Sequence, residues 1–282
     1  MTDLDTPRVT VVVPTYNMEQ HIGATLDSLQ RQTYASFEAI VVDDCSTDGT
    51  ADIVKARAEL DRRIRYVKLE ANSNRPAVPR NRGIELARTE YVAFLDHDDL
   101  WTEAKLERQV RVLDKYPDVG LVHSCLWEFT GRSRLRGLVY LPDPSRRRAT
   151  SETFDERNVV QCSSAMARTS ILARVGGFDE RAELRTVEDF ELWRRLSRRH
   201  RVVYISEVHG FYRHSSTGTS GQDNWVARHT YLDEVMGMRV LENRPSEARR
   251  IFRRILGFPA AVYFHLLEGS IRIRMGWEPR IW

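Results

Sequence analysis

The chain predicts an α/β protein: a mostly parallel sheet sandwiched by helices, followed by a helical C-terminal extension. Short continuous apolar runs alternate with helix-length segments through the first half, the pattern of strands buried on both faces. Three of those runs end in polar, loop-forming clusters, as ligand-binding α/β sheets do at their carboxyl edge.

In order, residues 9–13 read as a strand, 19–32 as a helix and 37–42 as a second strand. A helix opens near Thr50, 64–69 form a third strand, 78–87 a helix and 91–95 a fourth strand. After Asp118 the pattern changes. Residues 119–123 are a short strand, and 130–158 read as irregular and Arg-rich, with Arg132, Arg134, Arg136 and Arg146 to Arg148. Residues 159–167 are extended, 175–180 a turn, 188–200 an amphipathic helix, and 201–205 and 208–213 short strands. From Trp225 the chain reads as helices broken at Pro245.

A length of 282 residues with 41% hydrophobic and 29% charged residues describes a soluble globular protein with a sizeable core. No run of about 18 apolar residues occurs, so no transmembrane span is expected. Met1 to Asp5 is acidic and lacks an apolar stretch, which argues against a signal peptide. Cys45, Cys125 and Cys162 are widely spaced and odd in number, which fits neither a disulfide framework nor a zinc site and suggests a reducing cytoplasmic setting. A net charge of +3 argues against a nucleic-acid binder. The arginine clusters between residues 132 and 148 are either a solvated loop or a loop that attracts an anionic partner.

The chemistry-bearing stretch is Tyr91 to Leu100, where an apolar run ends in Asp96, Asp98 and Asp99. Clustered carboxylates repel and resist desolvation, so a cation normally sits among them. Hard oxygen ligands suit Mg²⁺ or Mn²⁺, which in turn suit phosphate oxygens. The plainer alternative is a solvated turn or a helix cap at Asp99. Neither G-x-G-x-x-G nor a Walker A loop is present, and Pro14-Thr15-Tyr16-Asn17 follows the first strand. A nucleotide site would therefore be built from side chains and a metal.

Several segments in order resemble family 2 glycosyltransferases of the GT-A fold. They are Val11 to Asn17, Val41 to Thr50, Arg80 to Ile84, Phe94 to Asp99, Gly176 to Glu180 and Glu188 to Trp193. The resemblance implies a GT-A catalytic domain over 1–220, with a nucleotide-binding half at about 8–118, an acceptor half at about 119–220, and an extension at 221–282. It implies transfer of a sugar from a UDP- or dTDP-sugar to an acceptor, with inversion and Mn²⁺ or Mg²⁺, and the lack of expected spans favours one sugar per encounter.

On this resemblance Pro14, Thr15 and Tyr16 would line the base pocket, with Tyr16 stacking, and Asp44 would accept hydrogen bonds from the base edge. Arg80 would approach the donor's phosphates or ribose. Asp98 is the first choice for metal ligand, with Asp96 near the ribose or a metal-bound water and Asp99 an alternative ligand. Asp189 would be the general base, and Glu188 would orient the acceptor or Asp189. Arg213 would support the phosphates, and His214 would reach the metal or diphosphate. The polar stretch from Ser215 to Ser220 suits a segment that closes over the donor. Asp48, before Gly49, reads as a turn residue, and Cys45 stands where relatives often carry Gly.

The acceptor stays open between a glycan, a lipid-linked molecule and a natural product. The C-terminal helices either pack on the catalytic domain or a second subunit, or lie on the inner face of a membrane through basic residues such as Arg249, Arg250, Arg253 and Arg254. The rival reading is a nucleotide-sugar-binding scaffold or sensor without transferase activity.

Overall fold

The computed structural model describes residues 6–130, 134–139, 154 and 158–214. The expected domain boundary near residue 220, the Ser215 to Ser220 stretch, the Arg146 to Arg148 cluster and the C-terminal helices lie outside the described residues.

Among the described residues a nine-stranded sheet forms the body, in the order β3-β2-β1-β4-β8-β6-β9-β5, with β7 paired to β6. The strands β1 (Val9–Thr15), β2 (Phe37–Asp43), β3 (Ile64–Lys68) and β4 (Tyr91–Phe94) are mutually parallel. The helices α1 (Ile22–Gln30), α2 (Thr50–Leu60) and α3 (Ala77–Leu86) are the crossovers between them. β1 lies between β2 and β4, so the order reverses there and opens a crevice at the carboxyl ends of the strands. Thr15, Asp43 and Asp96 all come to that edge, as their strand-end positions suggested.

The continuous apolar strands are explained by burial on both faces. Val9, Val11 and Val13 join one core with Leu26 and Leu29 of α1 and Val54 of α2. Val12, Val92 and Phe94 face the other core with Ala77 and Ile84 of α3. Alternate side chains point to opposite faces of a strand, so both parities must be apolar here.

The second half departs from expectation at several places. α4 (Lys105–Lys115) and α5 (Thr169–Val175) are additions to the elements expected from sequence. α4 carries its signal at Leu106, Val110 and Leu113, all buried at helical spacing. β6 (Val119–Thr130) runs seven residues past the expected end, and β7 (Arg134–Val139) is a strand inside the stretch read as irregular. The two short strands expected after residue 200 are one strand, β9 (Arg201–Arg213), whose register on β6 jumps from Ser124↔Ile205 to Cys125↔Val208. That bulge hides Ser206 and Glu207 in a continuous ladder. The extended reading of 159–167 resolves into a short 3₁₀ turn at Cys162–Ser164 and β8 (Met166–Arg168). β5 (Leu100–Trp101) and the helix α6 (Glu188–Ser197) complete the described chain. All three cysteines are free, and among the described residues no helix is long and apolar enough to cross a membrane.

Gly83 sets the approach of α3 to the sheet. A Cβ there would lie 2.3 and 2.7 Å from the two methyls of Val12. Replacing glycine by alanine inside a helix ordinarily stabilises by about 0.5–1 kcal/mol. Overpacking costs about 1–3 kcal/mol and wins here. Gly83→Ala should lower the urea midpoint with an unchanged slope, and Val12→Ala on that background should recover part of the loss.

Candidate active site

The site lies at the carboxyl edge of the sheet, where β4 runs into the acidic turn Asp96 to Asp99. A buried arginine organises it. Arg80, in the first turns of α3, is 5% exposed. Its Nη2 donates to Asp96 Oδ1 at 2.7 Å, and its Nη1 donates to Glu188 Oε1 at 2.6 Å. Burial alone would weaken this charge, but the facing carboxylates hold the guanidinium well above its usual range. Pro76 caps α3 and Pro79 sits in its first turn, where a missing backbone N–H costs nothing.

The three acids of the turn have different surroundings. Asp99 is fully buried: Ser163 Oγ donates to its Oδ2 at 2.5 Å, and the backbone N–H of Arg213 donates to its Oδ1 at 2.8 Å. Burial first, then the charges of Asp98 and Asp96, push the Asp99 carboxyl well above the usual range. Ser163 Oγ also accepts the Asp96 N–H at 2.9 Å, so one hydroxyl holds both ends of the turn. Among the described residues no side chain donates to the Asp98 carboxylate. Burial raises it, and the charges of His97 and Arg213 oppose that rise. Arg213 Nε donates to the Asp98 carbonyl at 3.0 Å, and its guanidinium lies 4.4 Å from the centre of the Phe129 ring.

No group of three or more His, Cys, Asp or Glu converges as a metal cage among the described residues. A cation that bridges diphosphate oxygens needs only one or two protein carboxylates. Asp98, with hard oxygens not taken by side-chain donors and Asp96 beside it, fits such an ion. Asp99 has both oxygens engaged already. His214, expected near a metal, pairs through Nδ1 with Glu128 Oε1 at 2.9 Å.

Glu188 and Asp189 open α6 two residues after Thr186, whose φ of 81° is a strained conformation for a β-branched residue. Glu188 Oε2 is buried without a hydrogen-bond partner. Asp189 retains some exposure, accepts the Phe190 N–H on Oδ1 at 2.6 Å, and faces Asn158 Nδ2 at 3.4 Å from Oδ2. Desolvation first, then the charge of Glu188, raise its carboxyl to about 7, with Arg80 opposing.

At the other side of the crevice, Asp44 is buried and held by Ser73: its Oδ1 accepts the backbone N–H at 2.8 Å and its Oδ2 accepts the hydroxyl at 2.9 Å. Pro14 and Thr15 are buried, and Thr15 Oγ1 has no partner. Tyr16 is 43% exposed, one of two large hydrophobic side chains so placed among the described residues. Cys45 adopts φ 65°, the left-handed region glycine occupies without cost. Asp48 accepts the backbone N–H groups of Thr50 and Glu19, a structural role as expected.

Sequence reasoning missed the residues that join these segments. Asn81 Oδ1 accepts the Phe178 N–H and its Nδ2 donates to the Phe178 carbonyl, both at 2.8 Å. Gly177, at φ 66°, passes so close that a Cβ would be 2.6 Å from Asn81 Oδ1. Asn81 carried a signal, lying inside a motif segment. Ser163 carried none.

The Glycosyl transferase family 2 model matches residues 10–176. The chain belongs to glycosyltransferase family 2. This family 2 glycosyltransferase is 32% identical over 230 residues to Bacillus subtilis TuaG, a glycosyltransferase assigned provisionally by name to teichuronic acid biosynthesis. That match covers 80% of this chain and 86% of TuaG. Over 112 residues the enzyme is 40% identical to Staphylococcus aureus TarS, a poly(ribitol-phosphate) beta-N-acetylglucosaminyltransferase, covering 39% of this chain and 19% of TarS. The TarS 1–349 structure with UDP-GlcNAc superposes at a TM-score of 0.65 and 23% identity, over 83% of this chain and 68% of that one. A Pyrobaculum calidifontis mannosyltransferase with GDP-Man and Mn²⁺ superposes at 0.61 and 20% identity, over 97% of this chain and 82% of that one. The fold is therefore GT-A, and the protein is a transferase.

Ser163→Ala would strip Asp99 Oδ2 of its shortest donor and leave the Asp96 N–H without its acceptor. Leaving buried polar groups unmade costs about 1–3 kcal/mol. Urea unfolding of Ser163→Ala should show a loss of that size.

Proposed function

We propose that this enzyme transfers a single sugar from a UDP- or dTDP-sugar to a hydroxyl of a glycan acceptor, with inversion at the anomeric carbon. The observation that carries the reading is the Arg80 bridge, which brings the Asp96 to Asp98 turn and the Glu188-Asp189 pair into one crevice.

The crevice divides by chemistry. Tyr16 offers an exposed aromatic face for the base to stack on, and the unpartnered Thr15 Oγ1 offers a hydrogen bond beside it. Asp44, already oriented by Ser73, has remaining lone pairs for a base N–H. Mn²⁺ or Mg²⁺ at Asp98, with Asp96, would neutralise the charge on the donor's diphosphate. Arg213 adds positive charge beside Asp98. Asp189 takes the proton from the acceptor hydroxyl. The oxygen's electron pair then forms the new bond to the anomeric carbon on the face opposite the diphosphate, and the anomeric C–O bond breaks as the nucleoside diphosphate leaves. A carboxyl raised to about 7 suits this task, because it is basic enough to accept the proton and still ionised near neutrality. Glu188 Oε2, buried and unpartnered, supplies an acceptor for a second hydroxyl of the incoming sugar.

Thermal stabilisation by a panel of nucleotides and nucleotide sugars, each with Mn²⁺, Mg²⁺ or chelator, tests the donor site. One UDP- or dTDP-sugar should stabilise the enzyme, and chelator should abolish the shift. No shift with any nucleotide sinks the reading. Asp189→Asn should keep that shift while transfer falls about 10²–10⁴-fold; comparable transfer removes Asp189 from the role of base.

The base must be deprotonated to work, so kcat/KM of the unmodified enzyme should rise with pH through about 7 and level above it. A stopped assay of nucleoside diphosphate release between pH 5 and 9 reads this limb. A flat profile over that range contradicts the assignment.

A further inference from the structure

Arg80 occupies a position whose resemblance implies contact with the donor's phosphates or ribose, yet its surroundings point elsewhere. The side chain is 6% exposed, and its two terminal nitrogens serve two different elements, the turn after β4 and the first residue of α6. Its carbon centre lies 5.4 Å from the centre of the Phe178 ring, so a third segment closes over it. To reach a diphosphate the guanidinium would have to abandon two buried carboxylates, and among the described residues neither Asp96 Oδ1 nor Glu188 Oε1 has another donor.

We propose that Arg80 is a positioning residue that sets the distance between the donor-side turn and the general base and does not itself bind donor. The inference rests on the assignment of Asp96 to Asp98 to the donor and Asp189 to the base. Asp96 and Glu188 are distant in sequence and in different layers, and the planar fork of one guanidinium spans them. A lysine, with one compact ammonium, cannot hold both carboxylates in that arrangement. Base and anomeric carbon must be registered closely, because a displacement of about 1 Å costs on the order of 100-fold in rate.

The experiment compares Arg80→Lys, Glu188→Gln and their combination in the full chain. Binding is read as the Kd of UDP in the presence of Mn²⁺, and turnover as nucleoside diphosphate release from the donor sugar that the stabilisation panel identifies. Arg80→Lys should leave the Kd within about twofold and lower kcat about 100-fold, and the double variant should lose little more than the worse single one, since both break one bridge. A Kd raised tenfold with kcat retained makes Arg80 a donor ligand and overturns the proposal, as do independent, multiplying losses in the double variant. Should Arg80→Lys fail to fold, Glu188→Asp decides: it keeps the charge but shortens the arm, so kcat should fall with an unchanged Kd, and full kcat overturns the bridge. Absence of both UDP binding and turnover in the unmodified enzyme would strike the parent assignment instead.

Discussion

The structure depends on one electrostatic constraint: several carboxylates must be brought to the end of a buried strand without expelling one another. An isolated ionised carboxylate in such a place would take up a proton or unfold its surroundings. Arg80 answers this for Asp96 and Glu188 together. Ser163 and the Arg213 N–H answer it for Asp99, while among the described residues no side chain donates to Asp98. Breaking a buried pair leaves an uncompensated charge, so the bridge is harder to remove than to replace whole. That asymmetry ties the Asp96 turn and the start of α6 into one unit.

The sheet delivers these groups because it is parallel where it matters. β1, β2 and β4 run the same way, so every strand end with a polar cluster reaches the same edge. Both faces of those strands are covered, so polar side chains gather where the strands end, and these three clusters end together at the carboxyl edge. The Glu188-Asp189 pair arrives from the far half of the chain. α6 is anchored by Arg195, which holds Glu191 and the Gly177 carbonyl, and the Gly177 turn is anchored by Asn81 of α3. A single helix, α3, therefore fixes both the arginine that bridges the acids and the asparagine that seats the neighbouring turn.

The first half of the fold was legible because buried parallel strands have no polar face and stand out as apolar runs. The second half was not, for the opposite reason. β6 carries His123, Ser124 and Glu128 among its apolar residues, and β9 is bulged at Ser206 and Glu207, so neither presents an unbroken period. The acids of the site were legible as a local cluster, and so was the pair opening α6. Their partners were not: Arg80 meets Glu188 across 108 residues and Ser163 meets Asp99 across 64, and no spacing rule reaches that far. The resemblance singled out Arg80 within a motif, but a motif does not say which way its side chain turns.

Adjacency in sequence is thus a poor guide to the division of labour among Asp96, Asp98 and Asp99. The same residue type occurs three times within four positions, and each has a different fate because each meets a different neighbour. Asp99 faces a serine and a backbone N–H in a dry interior and is held as part of the frame. Asp96 faces a buried cation and is held as part of the bridge. Asp98 has a cationic side chain nearby but, among the described residues, no side-chain donor, so its oxygens keep lone pairs that no described side chain takes. Two acids must be satisfied by the protein for the third to remain available to a ligand, since a turn with three unsatisfied carboxylates would not stay buried at all.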